Sequence, residues 1–190
     1  MEQKVFADRF PWKLLNWRSP EAQRAWLAKR LPKRGADLHF PMDGAVLKNR
    51  WVILSESGEG WPSVGNVLAA WPGTTTLFAP PALSSAVHFG CAFRVVRPGE
   101  FAVGSPLFDD LLVRSVENPP GTVLLLDRNP SPQMLYLVAK TEAPVRISFG
   151  PDGFFPWCNF NIASGDSSQW PALLAKWMAP APGGSRRPKR

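Results

Sequence analysis

Proline and glycine punctuate this chain so often, 21 and 15 times in 190 residues, that no element can run long. Proline fixes φ and removes a backbone donor, and glycine loosens the backbone, so a long helical bundle or coiled coil is disfavoured. There is still ample material for a core. Hydrophobic residues make up 45% of the chain, with 12 Phe and 9 Trp, which excludes whole-chain disorder. The length suits one domain of ordinary size.

Local signals place the elements. Ser19-Pro20-Glu21 reads as a helix start, with Ser as N-cap, Pro in the first turn and an acid at the positive end. This helix is expected to run to about Leu31, before Pro32 and Gly35. Ala25, Leu27, Ala28 and Leu31 share its apolar side. Trp51 to Leu54 is a short strand candidate, followed by a loop from Ser55 to Gly60, and Val64 to Ala70 has room for two helical turns. From Val87 to Val96 apolar residues alternate with His88, Gly90, Ala92, Arg94 and Val96, which predicts a half-buried strand.

Thr122–Leu126 and Met134–Val138 read as central strands joined through 127–132 as a hairpin, and Val145–Phe149 as a further strand before a turn at 150–153. Trp170, Leu173, Leu174, Trp177 and Met178 mark an amphipathic helix capped by Ser167 or Ser168 and covering the sheet. The expected fold is therefore a single α+β domain over 1–180: a mainly antiparallel sheet of about five strands between an N-terminal and a C-terminal amphipathic helix. Residues 181–190, rich in Pro, Gly and basic side chains, read as a flexible tail.

Charge is unevenly spread along the chain. Residues 1–50 carry +6, residues 51–185 carry −3 and the last five carry +4, for a net charge of +7. Basic ends on a mildly acidic body suit contact with an anionic partner such as nucleic acid through the termini, although the same charge also serves solubility. The residues proposed for that contact are Trp26, Lys29, Arg30, Lys33 and Arg34, with Arg186, Arg187, Lys189 and Arg190 in the tail. For Trp26, packing beneath Lys and Arg stems is the preferred account over a base-stacking surface. The longest aliphatic run, Val123 to Leu126, is far short of the roughly 20 residues that span a bilayer. With no signal-like start and only two cysteines, a cytoplasmic protein without a membrane partner is expected.

Reaction motifs are scarce. His39, His88, Cys91 and Cys158 equal a zinc ligand set in number, yet His88 and Cys91 lie three apart on a predicted strand and face opposite ways, so no metal is assigned. Gly58-Glu59-Gly60 continues to Gly65 and departs from the dinucleotide fingerprint; no Walker loop or nucleophile elbow occurs. Phe89-Gly90-Cys91-Ala92-Phe93-Arg94 resembles the Phe-Gly-Gly-Cys-His-Arg segment of sulfiredoxins, whose fold is shared with ParB-type DNA-associated proteins. The motif's His is absent and an extra residue separates Cys91 from Arg94. The resemblance implies a reactive thiol at Cys91 and ATP phosphate held by Arg94, with His88 nearby.

Two functions follow as expectations. The first is an interference or immunity-type protein that binds a macromolecular partner, protein or nucleic acid, since Trp-rich surfaces make binding hot spots. The second, implied by the resemblance, is a nucleotide-dependent enzyme acting on DNA, for example a nuclease or an inhibitor of plasmid DNA transfer.

Overall fold

The computed structural model describes residues 19–29, 48–54, 61–82, 91–97, 99–101, 105–150 and 154–178, with the side chains of Trp177 and Met178 not included. In chain order the elements are α1 (Pro20–Ala28), β1 (Asn49–Leu54), α2 (Trp61–Ala69), β2 (Thr74–Ala79), β3 (Ala92–Val95), α3 (Pro106–Glu117), β4 (Thr122–Leu126), α4 (Pro132–Lys140), β5 (Val145–Phe149), β6 (Phe160–Ile162) and α5 (Trp170–Met178). The strands form one sheet in the order β3-β2-β1-β4-β5-β6. All five pairings are parallel.

This overturns the mainly antiparallel α+β arrangement read from the sequence. The fold is α/β, and the decisive misreading is Met134–Val138, which lies within α4 rather than in a strand. Ser131 caps that helix by accepting from the Met134 N–H at 3.2 Å, and Pro132 sits at its first position. The run Met-Leu-Tyr-Leu-Val-Ala is buried throughout, so it shows no 3.6-residue periodicity and imitates a central strand. Once 132–140 is helical, β4 and β5 are joined by a crossover and must run parallel. Thr122–Leu126 and Val145–Phe149 are strands, but the hairpin expected between Thr122–Leu126 and Met134–Val138 does not exist, because the second of these is helical.

Prolines start these helices rather than break them. Each of the five has one at its first or second position: Pro20, Pro62, Pro106, Pro132 and Pro171. Three follow a serine whose hydroxyl caps the first turn, Ser19, Ser105 and Ser131. Ahead of α5 a single 3₁₀ turn over Ser167–Gln169 is capped by Asp166, not by Ser167 or Ser168. From α2 the chain enters β2 through Gly73, whose φ is +116° and whose missing Cβ leaves room for the Lys48 backbone. The Thr74 N–H then donates to Lys48 O at 2.7 Å and starts the β1–β2 ladder.

Strand alternation sends two sets of side chains to two cores. On the first face Trp51, Ile53, Val123 and Leu125 meet Leu27 of α1, Phe108 and Leu111 of α3, and Leu135 of α4. On the second face Val52, Leu54, Leu124, Leu126 and Ile147 meet Trp61, Val64 and Leu68 of α2 and Trp170 and Leu174 of α5. Helices thus cover both faces, as a parallel sheet requires. Of the long strand expected over Val87–Val96, the described part is Ala92–Val95, an edge strand. No helix among the described residues is long and apolar enough to cross a membrane.

Candidate functional site

The order β3-β2-β1-β4-β5-β6 reverses direction between β1 and β4. From β1 the chain turns to β2 on one side, whereas from β4 it turns to β5 on the other. In doubly wound, Rossmann-like sheets the connections part at such a point and leave a crevice beyond the carboxyl ends of the strands, where ligands bind. Leu54 and Leu126 are register partners, so β1 and β4 end side by side. The six residues 55–60, Ser-Glu-Ser-Gly-Glu-Gly, join Leu54 to α2 at Trp61 and lie outside the described residues.

Asp127 is the first residue beyond β4 and is half-buried. One carboxylate oxygen accepts from the Asn129 N–H at 2.9 Å, which shapes the loop as an Asx turn. Burial pushes its carboxyl above the ordinary aspartate value, and the Asn129 N–H offsets part of that rise. The rest of the loop is fixed by its neighbours. Arg128 donates to Gly165 O at 2.6 Å and stands over the Trp170 ring at 5.8 Å, tying the loop to the chain ahead of α5. Arg24 of α1 donates to Pro130 O at 3.4 Å. Beside this loop β5 ends at Phe149 and is followed by Gly150, whose φ is +128° and whose N–H donates to Ile162 O at 3.0 Å. A carboxyl group with a raised pKa on a restrained strand end can accept a ligand hydroxyl or exchange a proton with one.

The sequence-predicted site residues lie elsewhere. Arg94 on β3 reaches α3, where its Nη2 is 2.5 Å from Asp110 Oδ2. Arg114 donates to the same carboxylate through Nε at 3.0 and 3.1 Å. Cys91 instead packs against the second-face core, so Cys91 and Arg94 are not brought together. Burial pushes the Cys91 thiol up, against the opposing influence of Arg50 and Thr75. A nucleophilic thiolate needs the reverse. Cys158 is buried and its thiol is pushed up to about 12, again by desolvation.

His88 lies outside the described residues, as do Arg30, Lys33, Arg34, Arg186, Arg187, Lys189 and Arg190. Trp26 is partly buried and packs on the first-face core, while Lys29 is exposed at the C-cap of α1. Among the described residues no group of three His, Cys, Asp or Glu side chains is placed to hold a metal ion. Asp127 was missed because 127–132 reads as a hairpin turn. The signal that finds it is Ser131-Pro132, which makes the segment a strand-to-helix connection. The chain matches no protein-family model and no curated protein.

Proposed function

We propose that the protein binds a phosphorylated small molecule of the nucleotide class in the crevice between the carboxyl ends of β1 and β4. The observation that carries this reading is the reversal of strand order at β1 and β4 with a half-buried aspartate at the break. Topology supplies the place by analogy with other doubly wound sheets, and the residues supply the chemistry. The connection after β1 contains two Ser and two Gly, residue types whose backbone N–H groups can approach phosphate closely, together with Glu56 and Glu59, which work against it. Asp127 would take a ligand hydroxyl, as an acidic side chain near such a crevice takes a ribose hydroxyl. The test is calorimetric titration with ADP on the full chain and on Asp127→Asn. Saturable binding weakened about tenfold by the substitution is expected, the loss of one hydrogen bond to a charged acceptor. Absence of saturable binding, or equal affinity in both proteins, contradicts the reading.

A second reading is carried by the charge distribution, +6 in residues 1–50 and +4 in the last five. Under it, the basic ends bind an anionic macromolecule, and the binding energy comes from counterion release. Affinity for double-stranded DNA would then fall steeply with salt, and a chain ending at Pro180 would show a shallower slope because up to four contacts are lost. An unchanged slope in the shortened chain removes the tail from this account. Absence of binding at low salt ends it.

A further inference from the structure

A cavity of about 520 Å³ lies on the first face of the sheet, away from the β1–β4 crevice. Its floor is formed by the small exposed parts of Trp51 of β1 and Phe78 of β2, core rings 5% and 2% exposed and packed edge to face with centroids 5.2 Å apart. Its walls include Arg94 of β3 and Arg114, Glu117 and Asn118 at the end of α3. Asn49 Nδ2 donates to Asn118 O and Oδ1 and to Pro119 O at 3.2–3.3 Å, which fastens the end of α3 to the start of β1.

The two guanidiniums are held but not used up. Asp110 takes Nη2 of Arg94 and Nε of Arg114. That leaves Nε and Nη1 of Arg94 and both Nη groups of Arg114 without a protein partner among the described residues. One carboxylate thus positions two cations, and their remaining donors stand beside an aromatic floor. Glu117 on the wall works against any anion, and most against a multiply charged one. A guanidinium fork recognises a planar carboxylate in two-point fashion, and the volume suits a small ring system. We propose that this cavity binds a small aromatic monoanion, such as an aryl carboxylate, with its ring against Trp51 and Phe78 and its carboxylate on Arg94 and Arg114. A carboxylate on a ring differs in chemistry from the nucleotide proposed for the β1–β4 crevice.

The probes are 2-naphthoate and its neutral isostere 2-naphthamide, titrated calorimetrically into the full chain with and without saturating ADP. Naphthoate should bind at least about tenfold more tightly than naphthamide, the worth of a charge-assisted hydrogen bond, and ADP should leave its affinity unchanged. Arg94→Gln and Arg114→Gln should each weaken naphthoate about tenfold, Arg94→Lys less, and none should alter naphthamide. The Arg114 side chain is 59% exposed, so its substitution leaves the fold in place even where a change at Arg94 does not. Equal affinity for the two probes, wild-type naphthoate affinity in Arg114→Gln, displacement of naphthoate by ADP, or no naphthoate binding would each overturn the proposal.

Discussion

The middle of the sheet and its β3 edge are built on opposite terms. In β4 every residue is buried, and in β5 all but Arg146 are. In β3 none is, and Val95 is 44% exposed. The polar groups follow the same division. Arg50, buried between β1 and β2, donates to Thr75 Oγ1 at 3.0 Å and to the backbone oxygens of Pro72 and Trp71 at 3.1 and 3.4 Å. Its donors are spent on holding the chain. Arg94, on the β3 edge, shares Asp110 with Arg114 and keeps donors over. Burial alone therefore does not mark a functional arginine: a guanidinium saturated by carbonyls is a strut, and one half satisfied beside a cavity is a recognition group.

Stability measurements break or sharpen this contrast. The largest effect is expected for Leu124→Ala in β4, which removes a fully buried side chain from the second core. It should cost about 2–5 kcal/mol, against about 0.5 kcal/mol or less for Val95→Ala on β3. At roughly 2–4 °C per kcal/mol for a chain of this size, thermal melts separate the two. Similar losses would mean that the edge is as tightly packed as the centre.

A smaller effect, of opposite sign at the two places, is expected in acid. The Asp127 carboxyl is raised in the folded protein, chiefly by burial, so the native state binds more protons than the unfolded chain. Its contribution is complete below the ordinary aspartate pKa and is lost as pH rises through the raised folded value. For Asp110 burial also pushes upward, but the hydrogen bonds and charges of Arg114 and Arg94 prevail and the net shift is down. That contribution is present above the ordinary value and lost as pH falls through the depressed one. Asp127→Asn should therefore steepen the rise of stability with pH just above the ordinary value, and Asp110→Asn should flatten it just below. Urea melts between pH 3 and pH 6 read both slopes, and the same sign for both variants would contradict the assignment.

How much of this was legible turns on a few residues. Ser19-Pro20-Glu21 announces α1 plainly through its cap, and Trp170, Leu173 and Leu174 announce α5 through their helical spacing. The same Ser-Pro signal stands at Ser105-Pro106 and Ser131-Pro132, starting two helices that the expected fold lacks. At 134–139 the unbroken apolar run hides the helical period, and over 106–117 the expected fold has no element. With these helices and the strands Thr74–Ala79 and Phe160–Ile162 absent from the pattern, alternating strands and helices look like an antiparallel sheet. The candidate site depends on the topology, since the break between β1 and β4 is visible only in the strand order. Arg94 was legible as a chemically notable side chain, but its partner Asp110 lies on an element the sequence reading lacked.

The most direct test of the central claim is where ADP acts on the folded chain. Backbone amide shifts in a ¹H–¹⁵N titration should move saturably at Asp127, Arg128, Asn129, Ser131 and Gly150, at the carboxyl ends of β4 and β5. Asn49, Thr76 and Asn118, which line the first-face cavity, should stay still. Shifts confined to the cavity, or none at the strand ends when ADP is saturating, would contradict the account.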